Sequence, residues 1–176
     1  MEEKQKKHVS KFLSLVLRHK PEEIGLELDA NGWAVIDELI AKSNVKFTKA
    51  DLLDIVATND KQRFALNADQ TMIRASQGHS VNIDLGLAPS VPPEILYHGT
   101  AADTVDLLRK EGIQRMSRQY VHLSTQQSTA VQVGGRHGAP VVVSVRTGQM
   151  HADGLLFYLS ENKVWLTEFV PAKYID

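Results

Sequence analysis

Arg63-Phe64-Ala65-Leu66-Asn67-Ala68-Asp69-Gln70-Thr71-Met72-Ile73-Arg74 sets two short runs of strand-forming residues around the turn Asn67 to Gln70, which predicts a β-hairpin. What precedes the hairpin is helical. Thr48 can cap a helix reciprocally with Asp51, and Leu52, Leu53, Ile55 and Val56 then fall on one side of it. Further upstream, Trp33-Ala34-Val35 leads into a short helix through Leu39 and Ile40, after the turn Asp29-Ala30-Asn31-Gly32. Ile24, Leu26 and Leu28 alternate with other residues in the manner of a strand. Ser10 to Arg18 places Phe12, Leu13, Val16 and Leu17 on one helical face and stops before Lys20-Pro21, because proline disfavours helix in the residue before it. Helices followed by a two-stranded wing describe a winged-helix-like lobe.

Val81 to Pro93 contains Gly86, Pro89, Ser90, Pro92 and Pro93 and has no clear period in its second half, so the lobe boundary belongs there. The expected division is residues 1–88 and 89–176. Beyond it the elements are short: a strand at Ile95 to Tyr97, a helix from Asp103 to Lys110 closed by Gly112, a strand at Tyr120 to Leu123, and a helix capped by Ser124. Further strands are expected at Val141 to Val145, Leu155 to Leu159, Val164 to Thr167 and Phe169 to Tyr174. These are spaced too closely for βαβ crossovers, which makes the class α+β.

Composition excludes several functions. The 176 residues are 43% hydrophobic and 23% charged, ordinary for a globular protein with a real core. There is no cysteine, hence no disulfide and no thiolate metal site. The first residues contain no apolar signal region and no stretch approaches the ~20 residues of a membrane span, so a cytoplasmic protein without membrane contact is expected, and the lack of an apolar stripe beyond core needs favours a monomer. Residues 1–88 hold 12 Lys+Arg against 13 Asp+Glu, and residues 89–176 hold 8 of each. Neither half is a polycation, and any phosphate ligand has to be gripped at few points. There is no P-loop and no dinucleotide-binding glycine fingerprint, and the seven histidines include no spacing typical of a metal site.

Against this flat charge, arginine and histidine recur together: Arg18-His19, the heptad Arg74-Ala75-Ser76-Gln77-Gly78-His79-Ser80, and Arg136-His137. A guanidinium fits phosphate oxygens bidentately, and an imidazole moves a proton near neutral pH. In the heptad, Gly78 lets backbone approach a ligand, while Ser76, Gln77 and Ser80 offer neutral donors, as a loop merely capping the hairpin also would. Two strands end in His98-Gly99-Thr100 and His122-Leu123-Ser124. Phosphoesterases with paired His-x-Ser/Thr units space them more widely, so these histidines carry a different chemistry or simply bond to backbone.

Taken in order, Ser10-Lys11-Phe12-Leu13-Ser14, Leu17-Arg18-His19-Lys20-Pro21, Asn31-Gly32-Trp33, Ile73 to Ser80, Leu96 to Thr100, His122-Leu123-Ser124 and Val164-Trp165-Leu166-Thr167 span nearly the whole chain. This set resembles the NAD-dependent RNA 2′-phosphotransferases, the KptA-like enzymes. The resemblance implies an N-terminal winged-helix-like RNA lobe and a C-terminal ADP-ribosyltransferase-like lobe that takes NAD as a consumed co-substrate, without a metal. It implies an Arg-His-Arg-Arg tetrad at Arg18, His19, Arg74 and Arg136, with Arg118 and Arg146 as neighbouring arginines for the fourth place. Arg18 and Arg74, with Ser76, Gln77 and His79, are the expected contacts of the substrate phosphate and RNA. His98, Gly99, Thr100, His122 and Ser124 are the expected NAD contacts. The His-Tyr-Glu triad usual in ADP-ribosyltransferases corresponds here to His98, His122 and Val164, so both the tyrosine and the glutamate are missing. The implied reaction converts an internal RNA 2′-phosphate and NAD into 2′-OH RNA, nicotinamide and ADP-ribose 1″,2″-cyclic phosphate. An ADP-ribosyltransferase acting on terminal nucleic-acid phosphates or on protein would share the site, and a non-enzymatic RNA-binding adaptor would share the first lobe.

Overall fold

The computed structural model describes residues 1–176, the side chain of His137 excepted. The chain is α+β, with six α-helices and several small antiparallel sheets among the described residues, and it packs as two compact units, Met1–Gly86 and Leu87–Asp176.

In the first unit, helix α1 (Glu3–Arg18) buries Val9, Phe12, Leu13, Val16 and Leu17 along one face. It starts a full two turns before Ser10. Those added turns are solvated and polar, so they carry little apolar period, but Lys6 anchors them through an ion pair to Asp54 at 2.9 Å. The helix ends at Arg18, with the amides of His19 and Lys20 both donating to the Leu15 carbonyl, and a single 3-10 turn, Pro21–Ile24, follows. Ile24 to Leu28 forms no strand. Leu26 is buried, and Ile24 at the end of the 3-10 turn and Leu28 in the following loop pack on the core, so their alternation reflects burial without a ladder partner.

Strand β1 (Ala34–Val35) leads into α2 (Ile36–Lys42), and α3 (Lys49–Thr58) begins with the Thr48/Asp51 capping box. In that box the Thr48 hydroxyl accepts from the Asp51 amide, and the Asp51 carboxylate accepts from the Thr48 amide. The hairpin β2 (Phe64–Leu66) and β3 (Met72–Ala75) pairs Phe64 with Ala75, Ala65 with Arg74 and Leu66 with Ile73. Strand β1 joins on the other side of β3, giving the order β1-β3-β2 over the core of α1, α2 and α3.

The second unit is built on a six-pair antiparallel ladder between β4 (Leu96–Ala101) and a later strand. The chain passes through α4 (Val105–Glu111), β5 (Ile113–Gln114), β6 (Val121–Leu123) and α5 (Gln127–Gly134) before reaching that partner, β7 (Pro140–Val145). Then come α6 (Thr147–Ala152), β8 (Tyr158–Leu159), β9 (Trp165–Thr167) and β10 (Phe169–Val170). A three-stranded sheet has the order β6-β9-β8, and β10 pairs with β5. Leu96, Leu123, Val143, Val145, Phe157 and Trp165 share the core of this unit. The expected strand from Phe169 to Tyr174 divides into β10 and a 3-10 turn, Ala172–Tyr174, because Pro171 between them lacks the amide that a ladder needs. No helix of the described residues is long and apolar enough to cross a membrane.

Candidate functional site

The end of α1 leaves backbone carbonyls without helical partners, and the loop after β3 supplies them. The amides of Ser80 and Val81 donate to the Arg18 carbonyl at 2.9 and 3.3 Å, and His19 Nδ1 lies 2.8 Å from Ser80 Oγ. Between these ties and β3 the loop turns at Gly78, whose φ of +90° is left-handed, a region that glycine adopts without strain. A side chain there would meet Arg18, because a Cβ on Gly78 would stand 3.4 Å from Arg18 Cζ. Two backbone hydrogen bonds and one side-chain contact thus gather Arg18, His19, Gln77, Gly78, His79 and Ser80, residues 62 positions apart in sequence at their extremes.

Arg74 reaches this region from the middle strand of the hairpin sheet. Its side chain is buried: Nη1 donates to the carbonyls of Asn31 and Leu85 at 3.3 and 3.4 Å, and the guanidinium lies 4.6 Å over the Trp33 ring. Those contacts lock the guanidinium plane. Ser76 plays a local part, its hydroxyl donating to the Gln62 carbonyl and its amide to the Arg63 carbonyl, which continues the hairpin by one residue.

His79 is 1% exposed, and neither ring nitrogen has a hydrogen-bond partner among the described residues; the same holds for buried Gln77 Oε1. Burial foremost, reinforced by the charges of Arg18, Arg74 and His19, pushes the His79 pKa down to about 4. At pH 7 it is a neutral imidazole, with one donor and one acceptor, among positive groups.

In the second unit, β4 and β6 are stitched at one point, where Tyr97 and Ser124 exchange both backbone hydrogen bonds at 2.8 and 2.9 Å. This brings His98 beside His122. His98 Nδ1 donates to the His122 carbonyl at 3.2 Å, so its proton sits on Nδ1 and its Nε2 is left as an acceptor. Burial holds the His98 pKa below its ordinary value, which that bond only partly offsets. His122 has the opposite arrangement. Its Nδ1 lies 3.2 Å from Arg118 Nη1, and since a guanidinium can only donate, Nδ1 accepts and Nε2 carries the proton.

Gly99 stands against helix α5: a Cβ there would be 1.7 Å from the Ala130 carbonyl oxygen and 2.9 Å from the Gly134 amide. Its place in the sequence therefore has a packing cause, the close seating of α5 on β4, whatever else its backbone does. Arg136 sits in the 3-10 turn Gly135–His137 that continues α5, exposed to solvent, and its charge together with burial lowers the Arg118 pKa, burial being the larger cause. The Thr100 hydroxyl donates to Thr104 Oγ1, whose own proton goes to the Ala101 carbonyl. Ser124 does not cap α5. Its hydroxyl is used in a local turn with the amide and carbonyl of Gln126, and Gln126 takes the N-cap position without a side-chain bond.

Of the neighbouring arginines, Arg146 is taken up in securing the C-terminal residues, through Gln149, the Lys173 carbonyl and Asp176. Arg118 instead shares its surroundings with Arg136 and His122. Among the described residues no carboxylate pairs with Arg118 or Arg136, and no three of His, Asp and Glu converge as metal ligands would. Residues 4–169 match the family model described as RNA 2'-phosphotransferase, Tpt1 / KptA family.

The chain belongs to this family. It is 56% identical over 179 residues to a probable RNA 2'-phosphotransferase of Flavobacterium johnsoniae, covering 100% of this chain and 98% of that one. A probable RNA 2'-phosphotransferase of Hahella chejuensis is 52% identical over 177 residues, covering 99% of this chain and 95% of that one. The first unit gathers at the end of α1 a guanidinium and an imidazole, groups able to donate to an anion. Two contributors stand out only in three dimensions. Trp33 supports Arg74 from 41 positions away, and Arg118 reaches His122 from a loop whose sequence, Met116-Ser117-Arg118-Gln119, carries no motif.

Proposed function

We propose that this enzyme moves an internal RNA 2′-phosphate onto NAD, through an ADP-ribosylated 2′-phosphate intermediate. The first unit is read as the winged-helix-like RNA lobe and the second as the ADP-ribosyltransferase-like NAD lobe. The observation that carries the reading is the loop from Ser76 to Val81, docked on the last carbonyl of α1, with Arg18, His19 and Arg74 around buried polar atoms of Gln77 and His79 that have no hydrogen-bond partner among the described residues. Unused buried polar capacity is costly: a phosphate oxygen can accept from the N–H of neutral His79, and a ribose hydroxyl of the RNA can donate to Gln77 Oε1.

In the first step a phosphate oxygen attacks C1″ of the nicotinamide ribose, a C–O bond forms, the glycosidic C–N bond breaks, and nicotinamide leaves with the electron pair. The phosphate is already anionic at pH 7, so this step calls for orientation and charge placement more than for a base, which suits Val164 at the position of the missing glutamate. Arg18 and Arg74 hold the phosphate. In the second step O2″ attacks phosphorus, loses its proton, and the RNA 2′-oxygen leaves and gains one. His19, poised on Ser80 Oγ, moves these protons. His98 accepts from a ribose hydroxyl through Nε2, while Gly99, Thr100, His122 and Ser124 complete the nucleotide contacts.

The test incubates the enzyme with NAD and RNA carrying a radiolabelled internal 2′-phosphate. Label in ADP-ribose 1″,2″-cyclic phosphate and release of nicotinamide are expected; label that stays in RNA with NAD intact would overturn the reading. Terminally phosphorylated RNA or protein labelled from NAD, with the 2′-phosphate untouched, would point to the alternative ADP-ribosyltransferase. A His19→Ala enzyme should accumulate the ADP-ribosylated RNA as a slower band. If both steps are lost and no intermediate appears, His19 serves in phosphate binding.

A further inference from the structure

Arg118 lies outside the Arg-His-Arg-Arg set, yet its geometry gives it two partners that matter. It donates to His122 Nδ1, and it stands close enough to Arg136 for the two charges to act on each other. Fixing a histidine tautomer needs only a neutral donor; an amide would serve. A half-buried guanidinium beside a second guanidinium, with no carboxylate pairing with either among the described residues, is an expensive way to do so unless an anion offsets the charge. The donors here are two guanidinium forks, while His98 Nε2, a strand away, is left as an acceptor by its Nδ1 bond. Paired acidic groups flanked by a hydroxyl match that set.

We propose that Arg118 is a positioning residue that locks His122 as an Nε2–H donor and, beside Arg136, supplies the second positive group for the diphosphate of a dinucleotide. The ligand half of this proposal rests on the reading of NAD as co-substrate; the tautomer half does not. Arg118 touches no reacting atom in this scheme, so its loss weakens dinucleotide binding more than turnover.

The full-length enzyme with Arg118→Met and Arg118→Gln separates the two halves. Long-range 1H–15N spectra of histidine-labelled protein read the tautomer without any substrate. Wild type is expected to show His122 protonated at Nε2, Arg118→Gln to keep that pattern through its amide donor, and Arg118→Met to lose it. Both variants forfeit the charge, so the KM for NAD should rise by about 10- to 100-fold, with kcat changed by only about 2- to 3-fold and the KM for RNA unaltered. An unchanged His122 pattern in Arg118→Met overturns the positioning role. An NAD KM that stays put while kcat collapses overturns the diphosphate role. A wild-type enzyme that leaves NAD intact in the presence of 2′-phosphorylated RNA sinks the functional reading and the diphosphate role with it, and the spectra still decide the tautomer.

Discussion

Neutral His79, enclosed by loop and turn with three basic side chains acting on it, makes the folded state sensitive to acid. An unfolded chain takes up the proton near pH 6.5, whereas the folded one resists until about 4. Between those values the unfolded state binds more protons, so this contribution to stability is complete above pH 6.5 and is lost as pH falls towards 4. The depth of that loss is on the order of 3 kcal/mol. Urea midpoints measured across this window should fall with decreasing pH in wild type and fall less steeply in His79→Gln; parallel slopes would show that some other group titrates. The heptad that contains His79 was conspicuous in sequence because it is dense in polar groups. Which of them is spent locally was not, since the Ser76 hydroxyl goes to the Gln62 carbonyl and that pairing depends on the hairpin register.

Helix α5 has little apolar face, and its seating depends on glycine on both sides. Gly134 on the helix meets the backbone of Thr100, and Gly99 on β4 meets the Ala130 carbonyl. Gly99→Ala would push a methyl carbon into a backbone oxygen that cannot swing away, and should destabilise by about 1–3 kcal/mol or more while displacing the turn that carries Arg136. Gly135→Ala is the control, with open space at its Cβ and an ordinary helical φ of −65°. Thermal unfolding should separate the two clearly, and equal midpoints would mean that α5 can shift at no cost. Helix α3 makes a different point. In the winged-helix-like reading it occupies the place of a groove-reading helix, but Lys49 is its one basic residue, set against Asp51 and Asp54, the latter paired with Lys6. Lys49→Glu should therefore leave the KM for RNA within about twofold, while Arg18→Ala raises it; a large Lys49 effect would place RNA on α3. Elements with their own caps and periods, such as α3 and the hairpin, were legible in sequence. Helix α6 was not, because its six residues bury only Thr147 and Met150, and it is held from outside by the Pro93 and Glu94 carbonyls.

At the scale of the molecule, the order of helices and strands could be read along the chain, but sheet partners could not. Strands β5, β8 and β10 are two residues each and exist by virtue of pairing with segments 40 or more positions away or with β9 across a turn, information that no local pattern holds. Charge was legible and constrains RNA binding. A chain with formal net charge −1, flat in both halves, cannot hold RNA by a broad basic surface, so the affinity has to come from a few arginines at fixed places. If Arg18, Arg74 and one further cation neutralise about three phosphate charges, the log of RNA affinity should fall against the log of salt with a slope of roughly −2, using about −0.7 per charge for single strands. That corresponds to a loss of roughly 20-fold between about 50 and about 200 mM salt. Fluorescence anisotropy with 2′-phosphorylated RNA measures the slope, and Arg18→Ala should make it shallower by somewhat under one unit. A slope near −6 would mean a far larger phosphate footprint, which the even distribution of acidic and basic residues along this chain does not provide.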